Sequence, residues 1–237
     1  FTPNEFAIDG AYAMKLSENF SSGLAMRYIY SNLTGGISTP GGGVTKPGTS
    51  FAVDLSSYYQ SDNFQVEDKD AYWAAGINIS NLGNKISYTD AGEEFFLPTN
   101  GRLGASFNME LDKYNSVSFA VDINKLLVPT PQYVYDSLGN ITGRVIDDGP
   151  VIQGILSSFG DAPGGFGEEM KEINYSIGLE YWYAKQFALR AGYFNEANTK
   201  GGRKYMTFGA GLKYKVFQID AAYLQPFTRR HPLQNTI

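Results

Sequence analysis

Few residues in this 237-residue chain could carry out covalent chemistry. It has one histidine and no cysteine. His231 stands between Arg230 and Pro232 with no second imidazole, so neither a transition-metal site nor a Ser–His–Asp triad has its parts. The lack of cysteine removes disulfides, thiolate nucleophiles and Cys–zinc sites. Gly41-Gly42-Gly43-Val44-Thr45-Lys46 is glycine-rich, but it lacks the Gly-Lys-Ser/Thr ending and the following helix of a phosphate-binding loop. Glu67-Asp68-Lys69-Asp70 has the oxygens for calcium, yet reads as a solvated turn. These residues point to no enzyme, no metal and no cofactor. The net charge of −5 gives no basic footprint for nucleic acid.

Non-covalent chemistry is better supplied. The stretch from Lys125 to Lys171 lacks a steady period, yet it is too apolar for a loop that meets only water. Val128, Tyr133, Tyr135, Ile155, Leu156, Phe159 and Phe166 lie in it, with Phe95 and Phe96 in the preceding long connection. Exposed apolar patches mark binding surfaces. These residues are the candidates for contact with a partner, and the same stretch could also fold back as a plug. A second set, Glu180, Arg190, Lys213 and Asp220, falls on one face of successive strands and is a candidate group of interior ion pairs.

The elements that must position these residues are strands. From Ile173 to Leu224 the chain alternates with a period of two. Ile173, Tyr175, Ile177, Leu179, Tyr181 and Tyr183 interleave with Asn174, Ser176, Gly178, Glu180 and Trp182. The pattern restarts at Phe187, at Met206 and at Phe217. Each pass is long enough to cross a bilayer when tilted. Earlier passes run over about Glu5–Leu16, then through Leu24–Tyr30, Phe51–Tyr59, Trp73–Ile79, Leu103–Leu111 and Val117–Ile123. No apolar run reaches the length of a membrane helix. Hydrophobic residues make up 43%, aromatics 15% and charged residues 18% of the chain, the last below the roughly 25% usual in soluble domains.

Period alone does not say which face is wet. The polar face carries Asp9, Arg27, Asp54, Arg102, Asp122, Glu180, Arg190 and Asp220, diluted with Gly, Ala and Ser, which suits a crowded interior. The opposite face carries large side chains with Tyr and Trp near the ends, as a lipid-facing wall would. Short and long connections alternate strictly, as in outer-membrane barrels with short periplasmic turns and long extracellular loops. The expectation is all-β: a transmembrane antiparallel β-barrel forming one domain over 1–237, with ten strands and a further one beginning at Asn235. The strand count also predicts that the chain starts inside a longer product, with more strands before Phe1.

Asn78-Ile79-Ser80-Asn81-Leu82-Gly83-Asn84-Lys85-Ile86-Ser87-Tyr88, then Phe96-Leu97-Pro98-Thr99-Asn100-Gly101-Arg102-Leu103-Gly104, resembles the PorV (LptO) family. So does Asn4-Glu5-Phe6-Ala7-Ile8-Asp9-Gly10. Gly101 departs from the pattern, which has a larger residue there. The resemblance implies a 14-stranded barrel of FadL type in the Bacteroidetes outer membrane, among outer-membrane lipids or lipopolysaccharide. It implies a non-enzymatic component of the type IX secretion system. Such a protein binds the C-terminal signal domain of secreted cargo, docks on the SprA (Sov) translocon and carries cargo to the PorU sortase complex. The rival reading is a FadL-like transporter of hydrophobic small molecules, which needs a greasy lumen.

Overall fold

Twelve alternating residues, Asn4–Lys15, form the first strand of a long antiparallel meander. The computed structural model describes residues 2–33, 35–38, 44–89, 94–145 and 149–227. The strands are β1 (Asn4–Lys15), β2 (Phe20–Asn32), β3 (Gly48–Gln60), β4 (Phe64–Val66), β5 (Lys69–Gly83), β6 (Ile86–Ser87), β7 (Glu94–Phe95), β8 (Asn100–Glu110) and β9 (Asn115–Leu126). They continue with β10 (Tyr133–Tyr135), β11 (Ile141–Arg144), β12 (Ile173–Tyr183), β13 (Phe187–Asn195), β14 (Lys204–Tyr214) and β15 (Phe217–Pro226). Ten of them pair in the order β1-β2-β3-β5-β8-β9-β12-β13-β14-β15, and β4 pairs with β5. Among the described residues β1 and β15 are the two edges and do not pair with each other. The further strand expected at Asn235 lies outside the described residues, as do His231 and Gly41–Gly43.

Register shows what holds the strands together. Leu24 faces Leu55, Leu103 faces Ile123, Phe119 faces Leu179, and Ala191 faces Phe208. Each strand therefore stacks its apolar set on the apolar set of its neighbour. This set is the exposed one: Leu24, Phe51, Trp73, Leu103, Phe119, Leu179, Phe208 and Ile219 all lie open. The partners between them, such as Arg27, Asp54, Asn78 and Arg190, are half-buried. A soluble sheet buries its apolar side. Here the sense is inverted, as in a wall whose large side chains meet lipid. Among the described residues no helix is long and apolar enough to cross a membrane, which leaves the strands untouched by that criterion.

Tight turns close one end. Asp112 accepts hydrogen bonds from the backbone N–H groups of Tyr114 (2.7 Å) and Asn115 (2.9 Å), pinning the β8–β9 turn. Ala184 and Lys185 have φ of 53° and 55°, the left-handed pair that lets a two-residue turn follow the twist of its strands. Glu67 and Asp68 do the same, with φ of 51° and 62°. Residues 61–70, expected as a polar connection, are thus largely a hairpin: β4 pairs with Lys69–Ala71, and β5 begins four residues before Trp73. The alternation in Phe64–Val66 was too short to register as a strand.

The other end carries the long connections, and two of them are structured. Residues 127–172 hold the hairpin β10–β11, helix α1 (Val151–Ser157) and helix α2 (Phe166–Glu169), followed by a 3-10 turn at Met170–Glu172. Residues 84–99 hold the small hairpin β6–β7.

Candidate binding face at the long-loop end

The base of this face is a knot around Asn81, the residue where β5 leaves regular pairing. Asn81 sits in the left-handed region (φ 58°), beside a register shift between Val53 and Leu55. Its backbone N–H donates to Asp54 Oδ1 at 2.7 Å, and its side chain accepts from Arg27 Nη1. Its Nδ2 donates to the Pro98 carbonyl (3.2 Å), and its own carbonyl accepts from Thr99 Oγ1 (2.8 Å). Arg27 also lies 2.5 Å from Asp9 and 3.3 Å from Asp54. Four strands and the return of the loop are thereby tied at one point.

The described residues 84–89 and 94–99 then fold onto β2 and β3. Ile86 and Leu97 are buried with Ala52, and Ile29 and Tyr88 pack against them. Ser31 lies 2.9 Å from the Tyr88 hydroxyl and donates to Glu5 at 2.6 Å. Ser50 Oγ donates to the Asn84 carbonyl at 2.6 Å. Gly83 is required by close approach, since a Cβ there would stand 2.2 Å from the Phe51 carbonyl oxygen. The sequence shows an irregular connection here; it is the best-buried cluster among the described residues.

On this base rests a strap, residues 150–172. Its helix α1 has no side-chain N-cap and only seven residues, too short to persist alone. It is held by contact: a Cβ on Gly154 would reach within 2.6 Å of the Phe96 ring and 3.0 Å of Pro129. Ile155 is buried beneath it. The second anchor is ionic. Lys125 Nζ, at the end of β9, lies 2.6 Å from Glu169 Oε1 and 2.7 Å from Glu172 Oε2. Lys200, in the β13–β14 connection, lies 2.9 Å from both Glu168 and Glu172. Thr130 binds Asp161 through its backbone N–H (2.8 Å). The lysines belong to the sheet rim, and the glutamates to the strap.

Asp161, Glu169 and Glu172 bring carboxylate oxygens within 4.8 Å of one another, which is close enough to hold an ion. The Lys125 ammonium already meets two of the three, so their charge is satisfied by protein. Burial pushes the Glu172 carboxyl up, but hydrogen bonds from Lys125 and Lys200 outweigh it and hold the group below its usual range. Burial likewise pulls the Lys200 ammonium down, and Glu172 and Glu168 outweigh it in the opposite sense.

The residues expected to make contact divide three ways. Leu156 (68% exposed), Phe159 (59%) and Phe166 (80%) stand open on the strap, joined by Ile152 (63%). Ile155 is buried, Phe96 is half-buried against Gly154 of the strap, and Val128 is half-buried. Phe96 also lies under Lys85 Nζ, 4.2 Å from the ring centroid. Phe95 and Tyr133 are exposed away from this packing, and Tyr135 has its backbone in β10. On the half-buried face of the sheet Arg190 bridges Glu180 and Asp220, each at 2.5 Å. Lys213 is exposed and makes no ion pair with them. Sequence reasoning missed Lys125, Lys200 and the three strap glutamates. The only trace of them was a charge cluster, Glu168-Glu169 to Glu172, beside an apolar stretch.

The family model for the type IX secretion system protein PorV matches residues 1–133. The chain belongs to the PorV family. The matched part runs from β1 through β9 to the start of β10, and it contains the Asn81 knot and Thr99. PorV likeness is thus carried by the wall and the folded-in connection. The exposed apolar residues of the strap lie beyond the matched part. None of the curated proteins matches the chain.

The small residue at Gly101 has a local reason. A Cβ there would stand 3.1 Å from Leu127 Cδ1, and Leu127 is buried. The small residue makes room for the first residue of the long connection.

Proposed function

We propose that this protein is a non-enzymatic outer-membrane component of type IX secretion that binds the C-terminal signal domain of secreted cargo at its long-loop end. It docks there on the SprA (Sov) translocon and passes cargo to the PorU sortase complex. In this reading the apolar wall faces outer-membrane lipids or lipopolysaccharide, the short turns are periplasmic and the long connections extracellular. The observation that carries it is the exposed apolar set Ile152, Leu156, Phe159 and Phe166, mounted on a strap that is anchored by buried ion pairs. A segment held in place while showing large side chains to solvent is organised for contact. Membership of the PorV family supplies the secretion context. A FadL-like transporter is less well supported, because the half-buried face offers Gly, Ala, Ser and ion pairs and no continuous greasy lining.

The test is a set of single substitutions, Leu156→Asp, Phe159→Asp and Phe166→Asp, in the full-length protein in its own outer membrane. Co-purification of cargo and translocon should fall at least about tenfold while the barrel is still made. Unchanged co-purification with all three would sink the assignment. A long-chain fatty acid inside the purified protein, with no protein partner, would favour the transporter.

A further inference from the structure

The short-turn end is polarised in charge. Over β1–β5 it carries Glu18, Asp62, Glu67, Asp68 and Asp70 against Lys15 and Lys69. Over β8–β15 it carries Lys113, Lys185 and Lys215 against Glu110 and Asp112. Asp112 is occupied by its own turn. Glu110 meets Lys185 only at 3.5 Å, with both side chains largely in solvent, so that pair is weak.

On the basic side two of the lysines stand beside an aromatic ring. Lys113 Nζ lies 5.6 Å from the Tyr114 ring, and Lys215 Nζ 5.5 Å from the Tyr214 ring. Lys185 follows Tyr183, whose ring lies 6.4 Å from that of Tyr114. The turns are stitched together. The Ala184 N–H donates to the Tyr114 carbonyl (2.6 Å), and the Lys213 N–H donates to the Gln186 carbonyl (2.7 Å). Val216 and Phe217 add exposed apolar surface at the last turn. The result is a row of hydrogen-bonded turns that carries aromatic rings and three ammonium groups at one end of the sheet.

We infer that this row is a binding surface for anionic phospholipid headgroups. Tyrosine rings settle at the headgroup level of a bilayer, and lysine stems let their ammonium groups reach outward from it. Three ammonium groups at that level meet phosphate and the extra negative charge of an anionic lipid. The acidic side of the same rim repels it. The protein thus gathers anionic lipid along β9–β15 and not along β1–β5. The inference rests on the membrane-spanning reading above.

The test uses the full-length protein inserted into bilayers of equal phosphatidylcholine and phosphatidylglycerol. The lipids retained on gentle extraction are counted by native mass spectrometry. Wild type should keep phosphatidylglycerol over phosphatidylcholine at low salt. The variant Lys113→Gln/Lys185→Gln/Lys215→Gln should lose at least about fivefold of that preference. Lys15→Gln/Lys69→Gln, on the acidic side, should keep it. Equal retention by wild type and the triple variant, or an equal loss in the double variant, would overturn the inference alone. Failure of wild type to insert into either lipid would overturn the membrane reading and this inference with it.

Discussion

Lys125 Nζ and Glu169 Oε1 are 2.6 Å apart with each side chain only 9% exposed, although 44 residues separate them in the chain. Glu172 closes the group from the other side at 2.7 Å. Removing the lysine leaves Glu169 buried without a counter-charge and Glu172 with Lys200 alone, the costly way to break such a pair. Lys125→Met should weaken strap docking by about 3 kcal/mol, seen as faster limited proteolysis within 150–172. Adding Glu169→Gln should recover part of that protection, and a second substitution that only added to the damage would contradict the pairing.

Asn81 tests the knot beneath. Asn81→Ala loses the bonds to Arg27 and Pro98 and puts alanine, which lacks asparagine's tolerance of the left-handed region, at φ 58°. A cost of about 2 kcal/mol is expected from the two effects together. Asn81→Gly removes the same side chain and relieves the backbone, so it should be the milder of the two. Thermal unfolding of the purified protein separates them, and equal losses would mean that the backbone conformation contributes nothing.

Gly154 tests the contact of α1 with its base. A valine there collides with the Phe96 ring and Pro129. Gly154→Val should lift α1 and raise proteolysis of the strap several-fold. Gly154→Val combined with Phe96→Ala should restore much of the protection, since the space then exists. No rescue would place the obstruction elsewhere.

Acidity acts on the same strap. The Glu172 carboxyl is lowered from 4.5 when folded, so its contribution is full above that value and fades as pH falls through the lower folded one. The Lys200 ammonium is raised from 10.5, so its contribution is full below that value and fades as pH rises through the higher folded one. Docking should stay level between about pH 5 and about pH 10 and weaken outside that window. Amide hydrogen exchange over 151–172, corrected for intrinsic rates, measures this. A loss of protection beginning near pH 7 would point to another group.

The wall was legible because alternate residues must face opposite sides of a strand, so Tyr175, Ile177 and Leu179 announce their common face without help from distant residues. Glu180, Arg190 and Asp220 were legible for the same reason: register sets Glu180 opposite Arg190 and Gly211 opposite Asp220. The strap was not. Helix α1 has no cap and owes its existence to Phe96, some sixty positions earlier, so no local pattern announces it. Ile155 and Leu156 are neighbours of the same type, and only the docked helix decides that one is hidden and the other shown. Leu97 and Ile86 were invisible as core because the connection that contains them has no period.

The Asn81 clasp lies inside the part of the chain that the PorV model matches. Asn81, Pro98 and Thr99 grip one another and the strands around them, with Thr99 buried and Asn81 half-buried. Such residues belong to the masonry of the barrel rim. The matched part therefore contains a way of building the rim. The exposed apolar residues between Val151 and Phe166 stand where the family match has already ended, so that stretch is free to vary without disturbing the clasp.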